Sequence, residues 1–160
     1  MNIYLLLKLL HITAVIIFLG NIFTGLFWMK LANRTNNLSL ISFAIKGIIT
    51  SDKWFTIPGV IVITAGGFAG AIYGGIPLLK TGWIFWPIVL FTLSGIVFAI
   101  KVATLQKKIY KTTLSGETDF NGDQYHSYLK QWEAWGFIAL ITPIAAMVMM
   151  ILKLPLRSVF

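Results

Sequence analysis

The sequence predicts an all-α, polytopic membrane protein: a bundle of four transmembrane helices in one membrane domain over residues 1–160. Three observations predict this fold. The chain is 58% hydrophobic and only 11% charged, whereas soluble domains carry about 25% charged residues. Its mean hydropathy is +0.84. Four apolar segments also come close to, or exceed, the roughly 20 residues that a helix needs to cross a bilayer.

The four predicted spans cover residues 3–30, 55–76, 83–111 and 123–153. The first is apolar except for a few polar positions, Lys8, His11, Asn21 and Thr24. The third continues beyond the membrane through a lysine-rich stretch, and the fourth begins outside the membrane near Asp123. Turn-forming residues at 115–123 separate these two spans, and Pro155 is expected to end the last one.

A fifth, shorter helix is predicted over residues 38–50, between the first two spans. Its polar residues fall on one narrow stripe at helical period, with apolar residues elsewhere: Ser39, Ser42, Lys46 and Thr50. Such an amphipathic pattern is typical of a helix that lies at the membrane surface. Ser51 and Asp52 are then expected to cap the second span.

The net charge is +8, and the basic residues cluster at the ends of the spans. We therefore expect anionic lipid headgroups, and not nucleic acid, as their partner. The two long linkers carry nine basic residues, Lys30, Arg34, Lys46, Lys53, Lys101, Lys107, Lys108, Lys111 and Lys130. The opposite side carries four, Lys8, Lys80, Lys153 and Arg157. The positive-inside rule predicts both termini outside the inner cell membrane. All six tryptophans lie near predicted span ends, as an interfacial belt requires.

His11 is the leading candidate for function, because it stands about two turns inside the first span, where a polar side chain is costly. Neutral imidazole binds metals and titrates near neutrality, so one interpretation is an axial ligand of haem iron, with haem b as cofactor. The other is a histidine bonded to a neighbouring helix. Lys8 shares its face and either holds an anionic cofactor group or extends to the interface. His126 is expected roughly 20 Å away along the membrane normal and on the surface.

Small and polar residues are concentrated in the first two spans. Asn21 and Thr24 either line a solute site or pack against another helix, together with Gly20 and Gly25. The second span has glycines at four-residue spacing, Gly66, Gly70 and Gly74, which indicates close helix packing. The third and fourth spans are expected to be mostly structural.

The sequence also excludes some chemistry. It has no cysteine, so thiolate metal sites and disulfides are excluded. It has no nucleophile elbow, phosphate loop or zinc protease motif. Its only carboxylates near the spans, Asp52 and Glu133, are predicted at their boundaries, which argues against a carboxylate-based ion pump.

Three sequence landmarks carry a resemblance to a known family. Leu6 to Ile12 with Phe18 to Asn21, the segment Ser51 to Gly59, and Trp132 with Pro143 and Met150 to Lys153 together resemble a family of predicted integral membrane proteins of unknown function. The resemblance spans nearly the whole chain. It implies a four-helix membrane protein and no established activity.

A more distant likeness is to the HemJ-type protoporphyrinogen oxidases, through Lys8 and His11 in the first helix and Gly82-Trp83 later. In that family the histidine is thought to serve haem. The likeness stops after Gly82-Trp83, where Trp86 and Pro87 stand near the position of that family's lysine. Copper-resistance membrane proteins share a similar Leu-His helix.

Three hypotheses for function follow. The first is a haem-binding or redox-linked protein with His11 as the ligand. The second is a small-solute transport or binding protein with a polar cavity at Asn21, Thr24, His11 and Lys8. The third is a non-catalytic scaffold or assembly factor that binds a membrane partner or a second copy of itself.

Overall fold

The computed structural model describes residues 2–114, 120–154 and 156. These residues form four long helices and no strand, which confirms the predicted fold class. The helices are α1 (Ile3–Asn33), α2 (Leu38–Tyr73), α3 (Gly82–Leu114) and α4 (Gly122–Leu152), and all four are apolar enough to cross a membrane. At 31 to 36 residues, each is about 46 to 54 Å long. The predicted turn at 115–119, Pro155 and Arg157 lie outside the described residues.

Three of the four helices begin at an asparagine whose side-chain oxygen accepts a backbone N–H two or three residues later. Asn2 caps α1, Asn37 caps α2 and Asn121 caps α4. Asparagine is among the best residues at this position because it satisfies a donor that has no partner within the helix.

The helix over Leu38–Ser51 is present, but it is not a separate element as the sequence predicted. It continues without a break into the second span, so Ser51 and Asp52 lie inside α2 and do not cap it. The apolar stripe of this segment, Ile41, Ile45 and Ile48, is buried against other helices. The segment contains no proline, the helix continues through Gly47, and packing of the apolar stripe holds the segment as the start of α2.

Two π-helical segments interrupt the α-helical pattern, Asp52–Thr56 in α2 and Phe98–Val102 in α3. In each segment, the N–H of the residue that follows donates a hydrogen bond to the carbonyl five residues earlier. Ile57 donates to the Asp52 carbonyl and Ala103 to the Phe98 carbonyl. Proline has no N–H to donate, and Pro58 is the second residue after the first segment. Such segments occur frequently at functional sites.

The bundle has two ends. We call the end that holds Asn33, Leu38, Leu114 and Gly122 the linker end, and the opposite end the termini end. The linker end contains a large buried cluster, Met29, Ile41, Ile45, Ile48, Val102, Leu105, Ile109, Tyr125, Leu129, Trp132 and Ala139. A smaller cluster, Ala14, Phe18 and Ile63, lies toward the termini end.

The helices associate chiefly in two pairs, α1 with α2 and α3 with α4. The glycine seam of α2 faces α1: a Cβ at Gly66 would lie 3.4 Å from the Cβ of His11, and one at Gly74 would lie 3.1 Å from the Tyr4 ring. The seam is therefore a packing surface, since small residues let two backbones approach. In the other pair, the Ser94 hydroxyl donates to the Ala139 carbonyl at 2.7 Å.

Candidate functional site

The most unusual side chain in the bundle is Asp52, a carboxylate inside a candidate membrane span. It is only 7% exposed, although acidic residues are almost never fully buried without partners. The sequence predicted Asp52 as a cap at the start of a span, whereas the structure places it fourteen residues inside α2, which begins at Leu38. Polar groups at such positions usually face the interior of a bundle and mark functional sites.

Three neutral side chains donate hydrogen bonds to this carboxylate. Thr56, one turn later on α2, donates from its hydroxyl to Oδ1 at 2.7 Å. Asn21 of α1 donates from Nδ2 to the same oxygen at 3.1 Å and to the Thr56 hydroxyl at 2.9 Å. Gln106 of α3 donates from Nε2 to Oδ2 at 2.8 Å. The cluster therefore joins three helices around one carboxylate.

The fourth helix approaches the same point with Trp132, which is 3% exposed. Its indole Nε1 is buried and has no hydrogen-bond partner within the described part of the chain. A cavity of about 20 Å³ lies between the helices, and Asn21, Asp52, Gln106 and Trp132 are among the side chains that line it. The Trp132 side chain thus packs inside the bundle.

His11 occupies a different place, on the interface of α1 with the glycine seam. Its Nδ1 lies 2.8 Å from the Ile63 carbonyl oxygen. A carbonyl oxygen can only accept, so Nδ1 carries the hydrogen and, in the neutral ring, Nε2 keeps the lone pair. A Cβ at Gly67 would lie 3.1 Å from the ring Cε1, so the imidazole packs closely against Gly67. His11 is therefore bonded to a neighbouring helix, as one of the two interpretations of it predicted.

The other residues singled out in the sequence are not brought together with His11. Lys8 is exposed. Thr24 donates its hydroxyl to the Gly20 carbonyl of its own helix at 2.7 Å and is exposed. Asn21 is ten residues from His11 on α1, about 15 Å along the helix. His126 is exposed near the start of α4, at the linker end.

Sequence reasoning missed the roles of Asp52, Thr56, Gln106 and Trp132. One local signal existed for Gln106, which shares a helix face with buried Val102, Leu105 and Ile109. The third and fourth spans, expected to be mostly structural, contribute Gln106 and Trp132 to this cluster. Hydropathy had marked Gln106 as part of a lysine-rich stretch in water.

Metal binding by protein side chains alone was also considered. Among the described residues, no group of three histidine, cysteine, aspartate or glutamate side chains is close enough together to hold an ion. His11 and Asp52 lie at two separate points of the bundle.

A comparison with protein-family models identifies the family of this chain. The family described as predicted integral membrane protein (DUF2269) matches residues 5–154. This chain belongs to that family. No curated protein and no solved structure matches it, and the likeness to HemJ-type proteins stays a prediction.

Family and fold together make this an integral membrane protein that sits in a lipid bilayer. A match over nearly the whole chain supports the description of all four helices as spans. The family description names no activity, so function rests on the arrangement of the side chains.

Proposed function

We propose that this protein binds and releases a proton at Asp52 and uses that step to bind or transport a small polar solute. The single observation that carries the proposal is the buried carboxylate held by Asn21, Thr56 and Gln106. Ionisable residues within membrane spans serve proton relays and solute pathways in pumps and transporters. This proposal develops the solute hypothesis and moves its centre from His11 to Asn21 and Asp52.

Two opposing effects act on the protonation of a group in this position. Removal from water favours the neutral acid, whereas donated hydrogen bonds favour the carboxylate. The three groups that donate to Asp52 are neutral, so no cation among them fixes the negative charge. A carboxyl group in that balance is suited to proton exchange.

A proton fits the site better than a metal cation does. Every side-chain contact to the carboxylate is a donated hydrogen bond, and the nearby indole of Trp132 presents another N–H. A sodium or magnesium ion requires a shell of oxygen ligands. In the observed arrangement two amide nitrogens and one hydroxyl donate to this carboxylate, so a metal ion would require these side chains to turn their oxygens toward it.

The experiment is infrared difference spectroscopy of the full-length protein in lipid nanodiscs across a pH series. We expect a protonated-carboxyl C=O band that is lost in Asp52→Asn. The matched control is Asp123→Asn, because Asp123 is exposed at the start of α4 and its removal should leave the Asp52 band unchanged. Spectra of the wild type and Asp52→Asn that coincide at every pH would overturn the proposal.

A second candidate function, haem binding through His11, is favoured by one specific contact. The bond from Nδ1 to the Ile63 carbonyl leaves Nε2 as the nitrogen for a ligand, and metal-bound histidines characteristically donate their other N–H in this way. His11 therefore fits as an axial ligand. The glycine seam does not fit as a surface for the porphyrin, because α1 covers it.

Visible absorption of protein purified from haem-replete cells tests this second candidate. Haem bound at His11 gives a Soret band that shifts or disappears in His11→Ala. The control is His126→Ala, which removes the only other histidine and should leave the band in place. A colourless wild-type protein refutes haem binding.

The finer statements about location and partners stay predictions. These are the inner membrane, termini on the outer side, anionic lipid at the basic linkers and association with a second copy or a membrane partner. The scaffold hypothesis also stays a prediction. Labelling of single cysteines placed at residues 36 and 78 in intact cells would test the orientation, since the chain has no native cysteine.

A further inference from the structure

The indole N–H of Trp132 is buried and unpaired within the described residues. The residue is 3% exposed, and its Nε1 is the buried side-chain atom without a partner in the described chain. A buried donor left without an acceptor costs about 1 to 3 kcal/mol, and most buried polar atoms have a partner in the protein or an ordered water. An acceptor at this position would remove that cost.

A cavity that Trp132 helps to line has the volume for one such acceptor. It measures about 20 Å³, and a single water needs roughly 10 to 15 Å³ of such volume. Glycines on α1 and α4 provide part of the space. A Cβ at Gly136 would lie 3.2 Å from Leu26 Cδ2, and one at Gly25 would lie 3.5 Å from Ile48 Cγ2.

The cavity is lined mainly by apolar residues, with four polar side chains among them. Asn21, Asp52, Gln106 and Trp132 all contribute to its lining. An internal water needs about two to four polar partners; here the indole donates, and the carboxylate and amide oxygens can accept. An entirely apolar cavity of this size would stay empty.

We infer that this cavity binds one water molecule, which accepts a hydrogen bond from Trp132 Nε1 and donates to the cluster around Asp52. The water extends the hydrogen-bond network from α1, α2 and α3 to α4, so that all four spans meet at one point. This site goes beyond proton binding and holds whether or not Asp52 exchanges a proton.

Nuclear magnetic resonance of the full-length protein in detergent or nanodiscs can detect such a water directly. The indole N–H signal of Trp132 is assigned as the one that is missing in Trp132→Phe. We expect an exchange or Overhauser cross-peak between this N–H and water in the wild type. Absence of that cross-peak in the folded wild type overturns the inference.

A cavity-filling variant supplies the second arm of the test. Gly25→Ala adds a methyl group at ordinary contact distance from Ile48 and takes up space beside the water, so the cross-peak should disappear. Gly20→Ala is the matched control on the same helix, because its methyl group meets nothing within 4 Å. A cross-peak that persists in folded Gly25→Ala contradicts the assignment of the water to this cavity.

If Gly25→Ala does not fold, Gln106→Leu provides a second route. It removes a polar partner while keeping a side chain of similar length, and we expect at least a several-fold weaker cross-peak. An unchanged cross-peak in this variant also counts against the site. Failure of the infrared test with an intact water signal would refute proton binding alone.

Discussion

The two ends of the bundle are held together in different ways. At the linker end, large apolar side chains from all four helices are buried together, and the Asp52 cluster lies beside them. At the termini end, α1 and α2 meet through glycine, with a histidine bonded to a backbone carbonyl. The linker end is held together by large buried side chains. The α1–α2 contact instead requires glycines, because the absence of a side chain lets the two backbones approach.

The largest expected difference concerns core truncation. Ile45 is fully buried in the linker-end cluster, so Ile45→Ala should cost about 2 to 4 kcal/mol through lost contacts and a cavity. Ile63→Ala should cost less, because fewer buried side chains surround Ile63 in the smaller cluster. Denaturant unfolding of the purified protein measures both. Equal losses would remove the distinction between the two ends.

An intermediate effect is expected from adding a methyl group to the glycine seam. In Gly67→Ala the new Cβ would lie 3.1 Å from His11 Cε1, and overpacking of this kind costs about 1 to 3 kcal/mol. Gly70→Ala meets nothing within 4 Å and should be neutral or stabilise the helix by about 0.5 to 1 kcal/mol. Thermal unfolding in one detergent compares them. We expect Gly67→Ala to lower the unfolding temperature and Gly70→Ala to leave it unchanged or raise it. A Gly67→Ala variant as stable as the wild type would show that the seam tolerates side chains.

The smallest effect concerns a single hydrogen bond between α3 and α4. Ser94→Ala removes the donor to the Ala139 carbonyl and should cost about 0.6 kcal/mol, the average for such bonds between membrane helices. Thr92→Ala is the control, because Thr92 is exposed and bonds only the Ile88 carbonyl of its own helix. Denaturant midpoints should separate the two variants. If they coincide, side-chain bonds between helices add nothing measurable here.

Hydropathy was enough to predict the four spans, because a long apolar segment has one stable arrangement in lipid. It did not predict that residues 38–52 continue directly into the second span. There a polar stripe and an acidic residue resembled the edge of a membrane, and the burial of Asp52 comes from Asn21, Gln106 and Trp132 on three other helices. Such distant contacts leave no local periodicity in the sequence.

The candidate site was predicted in part. Asn21 was singled out as a possible solute residue and does line a cavity, whereas His11, given the greater weight, is engaged in packing with Ile63. The two π-helical segments could not be predicted, since a one-residue change in turn width has no compositional signature. The first contains Asp52 and Thr56, and the second ends one turn before Gln106.

The length of the helices has a further consequence. At 31 to 36 residues they exceed a hydrocarbon layer of about 30 Å by roughly 16 to 24 Å when upright. The charged residues of α3 and α4, such as Lys107, Lys108 and Lys130, place most of this excess at the linker end. One part of the bundle therefore lies in lipid, and the part at the linker end lies in water. The cluster around Ile109 and Tyr125 is stabilised by exclusion from water, as in a soluble protein, and its stability should decrease on cooling. The stability of the glycine-packed end should depend mainly on the thickness of the bilayer.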